Sequence, residues 1–165
     1  MLGRAFEMIN KEQSVPLTLL ECAELCAHIY KSTAAPPGWE LLNIQDIPEV
    51  GFRVALYGRN LLQENAQIAF VHRGTMLTFP EVINDLLNDI DIALDKVPPL
   101  CDLAIKFFID GMMIIDARYR SNYNAMYYLS LITTGHSLGA IMANMVSCLC
   151  ACRSTGRDGG YLTSI

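Results

Sequence analysis

Leu129-Ser130-Leu131-Ile132-Thr133-Thr134-Gly135-His136-Ser137-Leu138-Gly139-Ala140 is the stretch on which the reading of this chain turns. Its first half is a run of β-formers bounded by a glycine. Its second half opens an Ala/Met/Val-rich segment, Leu138 to Cys152, with helical periodicity. Between them Gly135, Ser137 and Gly139 fit the pattern G-x-S-x-G. A strand that turns at once into a helix holds the central residue in a strained conformation with its hydroxyl exposed. Side chains two positions before or after would collide with neighbouring backbone, so both positions are glycine. The helix that follows aims its free N–H groups and positive dipole end at any negative charge developing beside that hydroxyl. Five residues alone are a weak signal; a strand before them and a helix behind make it specific. The bland alternative is a Gly-Ser turn between strand and helix.

The same region needs a membrane test. Tyr127 to Cys152 contains no Asp, Glu, Lys or Arg, and a bilayer span takes roughly 20 residues. Gly135-His136-Ser137 would then lie near mid-bilayer, the costliest depth for polar groups. The period also changes there from β-type to helical. A buried strand followed by a buried helix is the expectation.

Working outward, Leu17 to Lys31 places Leu19, Leu20, Ala23, Ala27 and Tyr30 at helical spacing, which reads as an amphipathic helix. Ala34-Ala35-Pro36-Pro37-Gly38 ends it. Phe52 to Tyr57 and Ala66 to His72 are short β-type runs, expected to form a hairpin with a longish loop. Phe79 to Leu94 and Leu100 to Tyr119 read as helices, parted by Pro98-Pro99, with Gly111 a weak point in the second. Ser154 to Gly160 is a turn, and Tyr161 to Ile165 begins another strand. Strands joined through crossover helices build parallel βαβ units, so the expected class is α/β with a mostly parallel sheet and flanking helices. One domain over residues 1–165 is expected, with 1–16 a poorly ordered tail. Ending on a strand that belongs inside a parallel sheet gives the expectation that this domain is truncated.

Composition narrows the function classes. Net charge is −5 and only 18% of residues are charged, with a pI near 5.1. The twelve Lys and Arg are scattered singly, so no basic run tracks phosphates and a nucleic-acid partner is not expected. The six cysteines form no CxxC pair and no zinc-ligand spacing with histidine. They read as buried free thiols, which favours a reducing interior. Met1 to Pro16 carries Arg4, Glu7, Lys11 and Glu12 and no apolar run, so it is not a secretory signal peptide. A cytoplasmic location follows as the expectation. Neither a cofactor nor a metal is expected.

Upstream, Ile68-Ala69-Phe70-Val71-His72-Arg73-Gly74-Thr75 is a buried strand running into a short polar turn. Acyl transfer uses two backbone N–H donors at the oxyanion, one after the nucleophile and one from another strand's end. Leu138 and Thr75 stand at those two places. In isolation, Arg-Gly-Thr reads as an ordinary strand-ending turn.

Together these elements resemble the class 3 lipases, a triacylglycerol-lipase family within the α/β-hydrolases. That family has a strand ending in an A-F-R-G-T-like motif, then an N-D-like motif, a helical stretch, and T-G-H-S-L-G-G. Here the similar residues are Ala69 to Thr75, then Asn88-Asp89, then Thr134-Gly135-His136-Ser137-Leu138-Gly139-Ala140. The similarity spans roughly residues 20 to 165. It implies an α/β-hydrolase-type fold, Ser137 as nucleophile, and Thr75 and Leu138 as the oxyanion hole. Gly135, His136 and Gly139 complete the nucleophile elbow, and 76–87 falls where such lipases carry a mobile lid. The implied substrate is a lipid or small ester, met by transient contact with a lipid interface.

The chain departs from that pattern in four places. Val71 and His72 extend the strand motif, Ala140 replaces the second glycine, and Leu86 or Leu87 stands where the family has tryptophan before its N-D motif. The family's catalytic Asp and His lie on later strand ends, whereas this sequence runs to Ile165. His136 is adjacent to the serine and points away, His72 has nothing to position it, His28 belongs to the first helix, and Asp158 lies in a turn at the far end of the sheet. No base or acid is assigned. The resulting expectation is a lipase or esterase working through an acyl-enzyme, with its Asp and His missing from these residues. The alternative is a non-catalytic remnant or interaction module that a partner completes at the sheet edge.

Overall fold

The computed structural model describes residues 17–61, 63, 66–74, 99–119, 130–154 and 163–164. Helix α1 spans Leu19–Lys31 and strand β1 Glu40–Ile47; a 3-10 turn at Pro48–Val50 leads into β2, Phe52–Arg59. Next come β3, Gln67–His72; α2, Pro99–Tyr119; β4, Ser130–Gly135; α3, Leu138–Ser154; and the two-residue β5, Thr163–Ser164.

Helix α1 starts where its sequence supplies a cap. The Glu21 N–H donates to Thr18 Oγ1 at 3.2 Å, while the Thr18 N–H donates to Glu21 Oε2 at 2.8 Å. This reciprocal capping box satisfies two amide donors that the first turn would otherwise leave bare. The buried face differs from the expected one: Cys22, Leu25, Cys26 and Ile29 face the sheet, whereas Leu19 and Leu20 are about two-thirds exposed. The reason is that α1 carries two apolar stripes, and the one built on cysteine ranks low on a search for leucine and alanine.

The five strands lie in the order β1-β2-β3-β4-β5. β1 pairs with β2 and β2 with β3 antiparallel, whereas β3 pairs with β4 and β4 with β5 parallel. The class is α/β, but the sheet is mixed rather than mostly parallel. Connection length is the physical cause. A parallel crossover takes a dozen or more residues, and the links from β1 to β2 and from β2 to β3 are too short for one. β1 is also an element that the sequence hides. It is an edge strand of mixed polarity, and a register shift between Leu41 and Asn43 breaks its alternation.

Alternation along the central strands divides the core in two. Ala55, Tyr57, Ala69, Val71 and Ile132 face α1. Phe52, Val54, Leu56, Ile68, Phe70 and Leu131 face the opposite way, with Cys101, Ala104, Phe107 and Phe108 of α2 and Met142 and Val146 of α3. The sheet is thus sandwiched between α1 and the α2/α3 pair. Gly111, inside α2, sits on Phe70 and Leu56; a Cβ there would lie 2.5 Å from a Phe70 ring carbon. The glycine lets helix and sheet approach closely, despite the roughly 1 kcal/mol it costs a helix interior.

The expected helix over 79–94 and the lid segment 76–87 lie outside the described residues, as do the 155–160 turn and Asn88-Asp89. Among the described residues no helix is long and apolar enough to cross a membrane.

Candidate active site

The register of β3 against β4 builds the site. His72 pairs with Gly135, so the two parallel strands end level, and Arg73-Gly74 and His136-Ser137 leave them side by side. The carboxyl ends of adjacent parallel strands are where α/β sheets place their ligands. Ser137 is the second of the two residues between β4 and α3. Its φ is +58°, a left-handed value shared among the described non-glycine residues only with Asn60, and its side chain is exposed. Holding an ordinary residue there costs of order 1–3 kcal/mol, which the surrounding structure must supply.

Three glycines make the turn sterically feasible. A Cβ on Gly135 would overlap the Gly139 carbonyl, and one on Gly139 would overlap the His72 carbonyl. One on Gly74 would overlap the His136 carbonyl oxygen and stand 3.0 Å from Ser137 Cβ. β3, β4 and the start of α3 are therefore packed backbone to backbone around the serine. In the first turn of α3, the Gly139 N–H donates to His136 O at 3.0 Å and the Ala140 N–H to Ser137 O at 2.9 Å. Among the described residues nothing accepts from the Leu138 N–H, at the positive end of the 17-residue α3. Thr75, the other expected oxyanion donor, lies outside the described residues.

Helix α1 reaches this corner through Tyr30. The Gly74 N–H donates to the Tyr30 hydroxyl at 3.0 Å, and the same hydroxyl lies 3.2 Å from His136 Nδ1. The two rings meet edge to face with centroids 5.9 Å apart. Burial pushes the Tyr30 hydroxyl above its ordinary value, opposed by the Gly74 hydrogen bond, so it stays protonated at neutral pH. Tyr30 was read from sequence only as a helix-face residue. Its contacts lie 44 and 106 residues away in the chain, and no local pattern signals them.

All three histidines of the sequence fall in described positions. His28 Nε2 lies 3.0 Å from the Ala34 carbonyl, in the link after α1. His136 is turned to Tyr30. His72 is fully buried, neither ring nitrogen has a hydrogen-bond partner, and burial holds its imidazole down to about 3. Among the described residues no side chain hydrogen-bonds to the Ser137 hydroxyl.

Arg73, beside the site in sequence, points elsewhere. Its backbone N–H donates to Arg53 O at 2.9 Å and its Nη2 to Gly51 O at 3.3 Å. Burial and then the nearby Arg53 charge push its guanidinium down, while Arg53 itself pairs with Asp46 at 2.7 Å. It ties the end of β3 to the start of β2.

Cys22, Cys26 and Cys101 are buried free thiols, all pushed up by burial, Cys22 to about 11. They are not nucleophiles at neutral pH. Cys148 is exposed, contrary to the uniformly buried set expected. Among the described residues no group of three or more His, Cys, Asp or Glu is arranged to hold a metal ion.

No protein-family model matches this chain, and no curated protein matches it.

Proposed function

We propose that this chain carries the nucleophile of an α/β-hydrolase-type serine hydrolase acting on carboxylic esters, in the manner of the class 3 lipases it resembles. One observation carries the reading: Ser137 is held exposed at φ +58° between β4 and α3, with glycine wherever a side chain would close the turn. A strand–turn–helix junction has no packing need for a strained serine, whereas a nucleophile needs that exposure. In this mechanism the Ser137 hydroxyl attacks the ester carbonyl, and the carbonyl oxygen takes the negative charge. The Leu138 N–H, and by resemblance that of Thr75, stabilise it. Collapse expels the alcohol and leaves an acyl-serine, which water cleaves. No general base is assigned: His28 and His136 are hydrogen-bonded to Ala34 and Tyr30, and His72 is fully buried without a partner.

Hydrolysis of p-nitrophenyl butyrate and of a longer-chain ester tests this directly. Ser137→Ala should reduce kcat/KM at least a hundredfold. Hydrolysis unchanged in that variant removes the reading.

A second reading is a non-catalytic lipase-like remnant or interaction module that kept the elbow because the fold needs it. The outer face of α3 favours it. Ile141, Asn144, Met145, Cys148 and Leu149 line an open apolar groove of about 400 Å³ on a helix without a charged side chain among Leu138 to Cys152. β1 is also an eight-residue sheet edge to which a partner strand could add. Folded protein that shows neither hydrolysis nor labelling by serine-directed reagents selects this alternative.

A further inference from the structure

Among the described residues, Tyr30 is the one side chain that reaches from the α1 side of the sheet to hydrogen-bond both arms of the serine corner. Its hydroxyl oxygen accepts from the Gly74 N–H, a donor whose role is fixed. The remaining hydroxyl hydrogen then has one described acceptor in reach, His136 Nδ1 at 3.2 Å. With that hydrogen donated to Nδ1, the relay runs from the Gly74 N–H through the Tyr30 hydroxyl to His136, a direction that goes with the His136 tautomer carrying hydrogen on Nε2. Gly74 lies two residues past the end of β3 and directly before Thr75 in the sequence, and His136 precedes Ser137. These two segments are in van der Waals contact but belong to different strands, and among the described residues no other side chain hydrogen-bonds both.

We propose that Tyr30 is a positioning residue, whose hydroxyl sets the spacing between the β3 end and the Ser137 turn and so the geometry in which the oxyanion is received. The inference rests on the reading of Ser137 as a nucleophile. Its logic is that donors 2.7–3.1 Å from an oxyanion work only when they are fixed beforehand. A hydrogen bond that crosses from one arm to the other fixes them without touching the substrate. The phenol ring itself packs edge-on against His136 and half-buries on α1, so removing only the oxygen leaves the packing in place.

Tyr30→Phe tests it with three readouts. In ester hydrolysis, kcat should fall about tenfold with KM unchanged, less than the loss of a direct oxyanion donor. In nitrogen NMR of the wild-type chain, His136 should carry its hydrogen on Nε2 with Nδ1 accepting, and the Nδ1 resonance should move in Tyr30→Phe. The Gly74 amide should be protected from hydrogen exchange in the wild type and lose that protection in the variant. A wild-type kcat in Tyr30→Phe, in a chain whose hydrolysis depends on Ser137, overturns the proposal. So does a Gly74 amide whose exchange ignores the substitution, or hydrogen on His136 Nδ1. If Ser137→Ala leaves hydrolysis untouched, the serine reading fails instead, and the two spectroscopic readouts still decide whether the relay exists.

Discussion

His72 is a polar residue placed where the fold offers it nothing. It is fully buried on the α2/α3 side of β3, with both ring nitrogens unpartnered. Burial alone lowers its imidazole from 6.5 to about 3. Between those two values the unfolded chain binds a proton that the folded chain refuses. Stability is therefore free of this penalty above pH 6.5 and falls with acidification by about 1.4 kcal/mol per pH unit until about 3. His72→Leu should flatten that slope. Urea unfolding at pH 6.5 and 5 reads it in a window above the titration of Glu21, whose carboxylate the Thr18 amide and Arg59 hold at about 2. Equal slopes in the two proteins would show that His72 is not desolvated as described. Ser137 sits at the other extreme of the same scale: it is exposed on a left-handed backbone, as the proposed nucleophile requires, and its glycine neighbours announce the turn in the sequence. Tyr30 has no such announcement, because its partners come from other elements.

At the scale of elements, the strand–turn–helix unit β4–α3 depends on backbone contact with β3. Gly139 is the point of closest contact with β3, since any Cβ there meets the His72 carbonyl. Gly139→Ala should destabilise the chain by about 3 kcal/mol, well beyond the roughly 1 kcal/mol typical of a point substitution, because backbone rather than a flexible side chain must yield. Gly111→Ala meets the Phe70 ring, which has rotamers to use, and should cost less. Denaturant melts of the two variants check the order, and a Gly139→Ala chain as stable as wild type would contradict the packing. The elements themselves were largely legible. α1, β2, β3, α2, β4 and α3 each fall within about two residues of the runs that periodicity marks. β1 was not legible, because an edge strand with a bulge lacks the alternation that a half-buried strand shows. The buried face of α1 was misread for a related reason: cysteine packs like a small hydrophobe but does not look like one in a list of leucines.

For the molecule as a whole, the sequence pointed to crossover connections and hence to the α/β class, and to the β2–β3 hairpin, but missed β1 and the second antiparallel pairing that it makes with β2. Sheet direction depends on which strands become neighbours, and a hidden first strand alters that count. The site gathers where both layers of the core meet the ends of β3 and β4: Tyr30 comes from one layer, Leu138 from the other, and Ser137 stands between them. Thr75 and the expected lid fall outside the described residues, so the serine turn carries the account. The most direct test is labelling by a fluorophosphonate, which reacts with an activated serine and mimics the tetrahedral intermediate, followed by peptide mass mapping. One adduct is expected, on Ser137, absent from Ser137→Ala. An unlabelled chain under conditions that label a control hydrolase, or an adduct that persists in Ser137→Ala, would contradict it.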